Sequence, residues 1–187
     1  MPTTGVLALQ GDFREHLKML RDVGTDPIPV RTPDEVARIE ALVIPGGEST
    51  TIGKLADRFA LIEPLRARIN AGMPVYGTCA GLIFLSAAVT EGEQQLLGVL
   101  DAVVQRNAFG RQNESFEEDL DITGLETPFR AVFIRAPWVA KLGEEVEVLA
   151  TIDSHPVMVR QGSILASSFH PELTDDTRIH RMLVDLI

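Results

Sequence analysis

Short apolar runs that stop at a glycine or proline and give way to a helical pattern constrain this chain most. Residues 5–9 read as a short buried strand. Asp12 then opens a helix with Phe13, Leu17, Leu20 and Val23 on one face, and Gly24 stops it. Residues 27–30 form a second strand, Pro33 starts a short helix, and residues 41–44 form a third strand ending on Pro45-Gly46-Gly47. Ser49 is the expected cap of the next helix. Residues 61–69 continue as helix before Gly72, 74–76 make a short strand and 82–89 a helix. This alternation predicts a parallel sheet covered on both faces.

The second half reads differently. Residues 99–106, 118–122, 129–134, 146–152, 156–160 and 164–169 all have strand character, punctuated by Gly124, Asp153-Ser154 and Gln161-Gly162. Residues 107–119 are polar and read as a loop, and 175–187 as an amphipathic helix. The expected fold is α/β: three layers, a mainly parallel sheet with helices on both faces and an antiparallel extension. Residues 1–187 are expected to make one domain.

Charge and composition exclude several functions. Seventeen basic residues against 27 acidic ones give a net charge of −10. A nucleic-acid binder works by neutralising phosphates with Lys and Arg, so no nucleic-acid partner is expected, and no anionic membrane surface either. The longest apolar stretch, 82–89, is far short of the roughly 20 residues that span a bilayer. The N-terminus lacks a basic region and a long apolar run, so a cytoplasmic location is expected. One cysteine leaves no internal disulfide and no cysteine-rich metal site, and no metal is expected.

That cysteine is placed for chemistry. Gly77-Thr78-Cys79-Ala80-Gly81 lies between a short strand and an apolar helix, in the form of a nucleophile elbow. The turn lifts the side chain clear of the sheet at the edge where open α/β sheets bind ligands. A helix N-terminus there favours thiolate. A cysteine nucleophile needs a base, and the base an orienter. His16 and His180 sit in amphipathic helices among charged neighbours and are expected to be solvated, and His155 at its turn exposed. His170 ends an apolar run, precedes Pro171 and leads to Glu172. Pro171 biases His170 to extended backbone, and residues two apart in extended chain point the same way. His170 and Glu172 therefore converge on one site. Gly46-Gly47 after the third strand can turn N–H groups outward to hold an oxyanion. The same stretch misses a phosphate loop twice, at Glu48 and Leu55. The first strand is followed by Gln10-Gly11-Asp12, which argues against a dinucleotide site.

These residues resemble the class I, triad-type glutamine amidotransferases. The likeness runs along nearly the whole chain to one family, the glutaminase subunits of the bacterial-type pyridoxal 5′-phosphate synthases. It is carried by residues 5–12 (GVLALQGD), 44–51 (IPGGESTT), 77–81 (GTCAG), 106–112 (RNAFGRQ) and 133–137 (FIRAP). The resemblance implies that Cys79 is the nucleophile, His170 the general acid–base and Glu172 its orienter. It implies an oxyanion hole at Gly47 and Ala80, and L-glutamine held by Gly47, Glu48, Ser49, Arg106, Ile134 and Arg135. It also implies a (β/α)8-barrel synthase subunit as the receiver of ammonia; the pyridoxal 5′-phosphate is that partner's product, so no bound cofactor is expected in this chain. Three other readings stay open at this point. One is the glutaminase subunit of a different synthase, such as that of imidazole glycerol phosphate. The others are a cysteine-elbow protein that is not a glutaminase, and a flavodoxin-like binding module with an inert Cys79.

Overall fold

The structure is a computed structural model and describes residues 1–110 and 114–187. Strands β1 (Thr3–Leu7), β2 (Asp26–Val30), β3 (Ala41–Ile44) and β4 (Val75–Thr78) alternate with helices α1 (Phe13–Asp22), α2 (Pro33–Arg38), α3 (Ser49–Arg58) and α4 (Ile62–Asn70). Then come α5 (Ala80–Leu85), β5 (Ser86–Val89), β6 (Leu100–Gln105), β7 (Ser115–Leu120), β8 (Phe129–Ile134) and β9 (Trp138–Leu142). The chain closes with β10 (Glu147–Ile152), β11 (His155–Gln161), β12 (Ile164–Ser167), a 3-10 turn (Pro171–Leu173) and α6 (Arg178–Val184).

The main sheet runs β10-β11-β12-β4-β3-β1-β2. Its members from β12 to β2 are parallel, and β10 and β11 continue it antiparallel. Strand alternation divides the core in two. Leu42 and Ile44 face one cluster with Ile52, Ala56 and Leu65 of α3 and α4. Ala41 and Val43 face the other with Leu17 and Leu20 of α1 and Ile179 and Leu183 of α6. The expected three layers are thus present. β1 lies between β2 and β3, so the chain leaves it to one side and later returns on the other. A crevice at the carboxyl ends of such strands is where open α/β sheets bind ligands.

Several local expectations change. The helix read over 82–89 ends at Leu85, and β5 starts at Ser86, whose hydroxyl donates to Ile83 O at 2.7 Å. β9 was not expected. Beyond the antiparallel extension by β10 and β11, β5-β6-β9 and β7-β8 form separate small sheets. β7 begins at Ser115, inside the stretch read as loop; positions 111–113 of that stretch lie outside the described residues. α3 is capped by Glu48, not Ser49: the Glu48 carboxylate accepts from Thr50 N and Thr51 N. His155 is half-buried and stacked on Trp138, with ring centroids 3.6 Å apart. His16 and His180 are fully buried rather than solvated, because they lie on the inner faces of α1 and α6. Among the described residues no helix is long and apolar enough to cross a membrane.

Candidate active site

The site is assembled from the turns after four parallel strands. The turn after β4 carries Cys79 at φ 52°, ψ −104°, a strained backbone for a residue with a Cβ. It is held on both sides: Cys79 N donates to Ser167 O at 2.8 Å, and Thr78 Oγ1 to Phe169 O at 2.6 Å. The neighbouring glycines are fixed by packing. A Cβ at Gly81 would stand 2.2 Å from Ile44 O, and one at Gly77 2.7 Å from the Gly81 backbone. Cys79 is 8% exposed, and its sulfur lies 4.0 Å from Ile134 O.

His170 follows β12 and is tied in by its N–H to Val132 O at 2.8 Å. Its Nδ1 is 2.7 Å from Glu172 Oε1. Since an ionised carboxylate only accepts, Nδ1–H donates and Nε2 is left for chemistry. The imidazole fits because residue 46 has no side chain; a Cβ there would be 2.5 Å from its Cε1. Burial pulls the His170 pKa down, but Cys79 and the Glu172 carboxylate pull harder the other way and raise it to about 10. The imidazole therefore holds its proton at neutral pH.

The turn after β3 supplies Gly47, at φ 150°, with Glu48 and Ser49. Neither Gly47 N–H nor Ala80 N–H has an acceptor among the described residues. Glu48 N–H does, donating to Gln10 Oε1 at 2.7 Å. A pocket of about 370 Å³ joins these groups, lined by Gln10, Gly47, Cys79, Ala80, Arg135 and His170 among others. Glu48, Ser49, Arg106 and Ile134 also line it, so every candidate catalytic, oxyanion and glutamine-binding residue implied by the resemblance reaches it except Glu172, which sits behind His170. The later residues of the 106–112 motif, Arg111 and Gln112, lie outside the described residues.

A cysteine on a strained turn, a cationic histidine oriented by a buried carboxylate and two free N–H groups over one pocket can perform acyl transfer through a thioester. The sequence pattern of the SNO glutamine amidotransferase family matches residues 6–187. The chain belongs to that family. A pyridoxal 5′-phosphate synthase subunit PdxT from Frankia alni is 58% identical, covering 100% of this chain and 95% of its own. One from Mycobacteroides abscessus is 54% identical, covering 100% and 97%. A crystal structure of a glutamine amidotransferase superposes with a TM-score of 0.94 at 54% identity, over 98% of this chain and 97% of that one.

Two amide side chains, Gln10 lining this pocket and Gln94 bonded to residues that line it, were given no role in the sequence analysis. Gln10 holds the Glu48 N–H, and Gln94 accepts from Ser49 Oγ at 3.3 Å and Arg106 Nη1 at 3.2 Å. Gln10 lies in the 5–12 motif but was given no role there, and Gln94 lies in no motif. The Glu48 carboxylate is already engaged as a helix cap and lies 3.6 Å from Arg106 Nη2. Burial pulls its pKa up, and the donors from Thr51 and Thr50 outweigh this and bring it below the usual value. Among the described residues, Asp12, His170 and Glu172 form the one group with metal-ligand atoms within 4.8 Å of one another. A cation there would compete with the proton His170 shares with Glu172.

The histidines predict how stability depends on pH. Burial, then the charges of His180 and His170, hold His16 well below 6.5, and burial pushes His180 down to about 4. Their contribution is present above pH 6.5, the unfolded value, and is lost at lower pH, for His180 as pH falls through about 4. For His180 alone this amounts to roughly 3 kcal/mol. His170, raised to about 10, acts on the other limb: its contribution is full below 6.5 and lost as pH rises through 10. Urea midpoints are expected to peak near neutrality and fall on both sides. A midpoint that stays level from neutral pH down to about 4 would contradict the buried neutral pair.

Proposed function

We propose that this chain hydrolyses L-glutamine to L-glutamate and ammonia through a Cys79 thioester, and delivers the ammonia to a synthase subunit that makes pyridoxal 5′-phosphate. The observation that carries this reading is the meeting of Cys79 and the His170–Glu172 pair over one pocket at the carboxyl ends of β4 and β12. The relatives' names supply the synthase.

In this reading the Cys79 thiolate attacks the side-chain amide carbon of glutamine. Gly47 N–H and Ala80 N–H receive the oxyanion. His170 protonates the leaving nitrogen, ammonia departs, and a glutamyl thioester remains. His170 then takes a proton from water as the hydroxide adds to the thioester; the intermediate expels the Cys79 thiolate, glutamate leaves with its acid proton lost to solvent, and the thiolate–imidazolium pair is restored. Glu172 keeps the imidazole in one tautomer and stabilises its cation. Glutamine lies against Gly47, Glu48, Ser49 and Ile134. Arg106 or Arg135 forks onto its α-carboxylate, as guanidinium groups do. Arg135 is exposed at the pocket and carries no ion pair among the described residues. Ammonia freed into water at neutral pH becomes ammonium and loses its nucleophilic lone pair, so a receiving subunit must dock over the pocket. The receiver in this reading is a (β/α)8 barrel.

A glutaminase running without a receiver wastes glutamine, and the pliable Gly46-Gly47 peptide offers a control point. One misdirected oxyanion donor costs about 10²–10³ in rate. The test is glutamate release by the chain alone and with the barrel subunit. Release is expected in both, with kcat raised by the barrel and KM changed less. No glutamate in either case would overturn the function, and full activity without the barrel would overturn the control.

A further inference from the structure

Behind the pocket lies a second pair of histidines that the reaction as written does not use. His16 on α1 and His180 on α6 are fully buried, with His16 Nδ1 2.8 Å from His180 Nε2. His16 Nε2 stands 3.4 Å from Glu172 Oε2, the carboxylate oxygen that His170 does not use. Neither His16 Nε2 nor Glu172 Oε2 has a hydrogen-bond partner among the described residues. Two buried polar atoms thus face each other with no other outlet, and such atoms are costly unless paired.

The carboxylate dictates where the protons sit. It accepts only, so His16 must present Nε2–H to it. His16 is neutral, so its Nδ1 is then an acceptor and His180 donates from Nε2. His180 Nδ1 is left as a lone pair, and it has no partner among the described residues. The reverse polarity would aim a lone pair at an anion. One chain of donors therefore runs from His180 through His16 to Glu172, while His170 Nδ1–H occupies the other oxygen.

We propose that His16, oriented by His180, is the second hydrogen-bond donor to Glu172 and holds that carboxylate in place for its action on His170. His16 is a positioning residue, and its role rests on the reading of Glu172 as the orienter of His170. The groups that face this chain are few. Tyr76 of β4 meets His180 edge-on at 6.1 Å and shares its hydroxyl with Ser167 at 2.6 Å. His170 lies on the far side of Glu172, with Cys79 beyond it. The Asp12 carboxylate, from the loop before α1, comes within 4.8 Å of ligand atoms of both His170 and Glu172. Burial keeps His16 uncharged, so it donates to Glu172 without neutralising it.

The test uses the full chain with its barrel subunit. His16→Leu removes the donor, and His16→Gln returns an amide N–H at similar reach. In His16→Leu, kcat is expected to fall roughly ten- to a hundredfold with KM for glutamine within about twofold. The alkaline limb of kcat/KM moves to lower pH, because a less fixed carboxylate holds the His170 proton less firmly. His16→Gln recovers most of both. A folded His16→Leu with wild-type kcat and pH profile would overturn the proposal. Independently, nitrogen NMR of ¹⁵N-histidine-labelled wild type should show His16 protonated at Nε2 only, across about pH 6 to 8. The Nδ1–H tautomer, or titration of His16 in that range, would overturn it too, whether or not His16→Leu folds. Failure of the glutaminase reading looks different: the wild type releases no glutamate, while the His16 tautomer still reports the bond to Glu172.

Discussion

Cys79→Ala is expected to lower glutamate release by about 10⁴ or more, the scale on which a nucleophile's loss is felt when its companions act with it as a unit. The fold should survive. Alanine carries the same Cβ at φ 52°, so the turn's strain is unchanged, and only a small, nearly buried sulfur is lost. The elbow is held by Gly77, Gly81 and the bond from residue 79 N–H to Ser167 O, none of which needs the thiol. Thermal unfolding within a few degrees of wild type, together with retained glutamine binding, is the expected companion result. Activity within about tenfold of wild type would remove Cys79 as nucleophile.

Glu172→Gln should have the next largest effect. The substitution keeps the shape and removes the charge that, with Cys79, holds His170 at about 10. It also lets the amide nitrogen face His170 Nδ1, which would reverse the tautomer. In a serine triad the comparable change costs about 10⁴ in kcat. A cysteine nucleophile leans less on its base, so a loss of about 10–10³ is expected here. The alkaline limb of the pH–rate profile should move to lower pH, since the imidazolium is then less stabilised. An unchanged profile would make Glu172 a structural residue.

The first half of the fold was legible because each strand is short, apolar and closed by glycine or proline, which leaves few alternatives. The boundary at Ser86 was not. Residues 82–89 are apolar except for Ser86, and such a run fits a buried helix or a buried strand equally. β9 was hidden because its residues after Val139 are exposed and include Lys141, so it shows no clean alternation. The partition of the later strands into a sheet continuation and two small sheets depends on pairing between distant segments, which periodicity does not encode.

In the site, Cys79, His170 and Glu172 stood out because each lies in a local frame with its own chemical logic. The buried histidines did not, although a signal was present. His16 sits three residues after Phe13 and four before Leu20, on the apolar stripe of α1 and not among its charges. His180 follows Ile179 and precedes Leu183 by three on α6. Charged sequence neighbours outweighed helical position in the reading, and the structure shows that position decides burial. Gln10, though inside the 5–12 motif, and Gln94 were given no role, because an amide's role here is set by partners 38 and 45 residues away.

The most direct measurement is covalent labelling by a diazo-ketone analogue of glutamine, read by peptide mass spectrometry in the presence of the barrel subunit. The analogue places an electrophilic carbon where the amide carbon of glutamine would sit. The predicted result is a single adduct on the peptide carrying Cys79, formed in step with the loss of glutamate release and slowed by added glutamine. Loss of activity with the adduct on another residue, or full labelling of Cys79 with glutamate release intact, would contradict it.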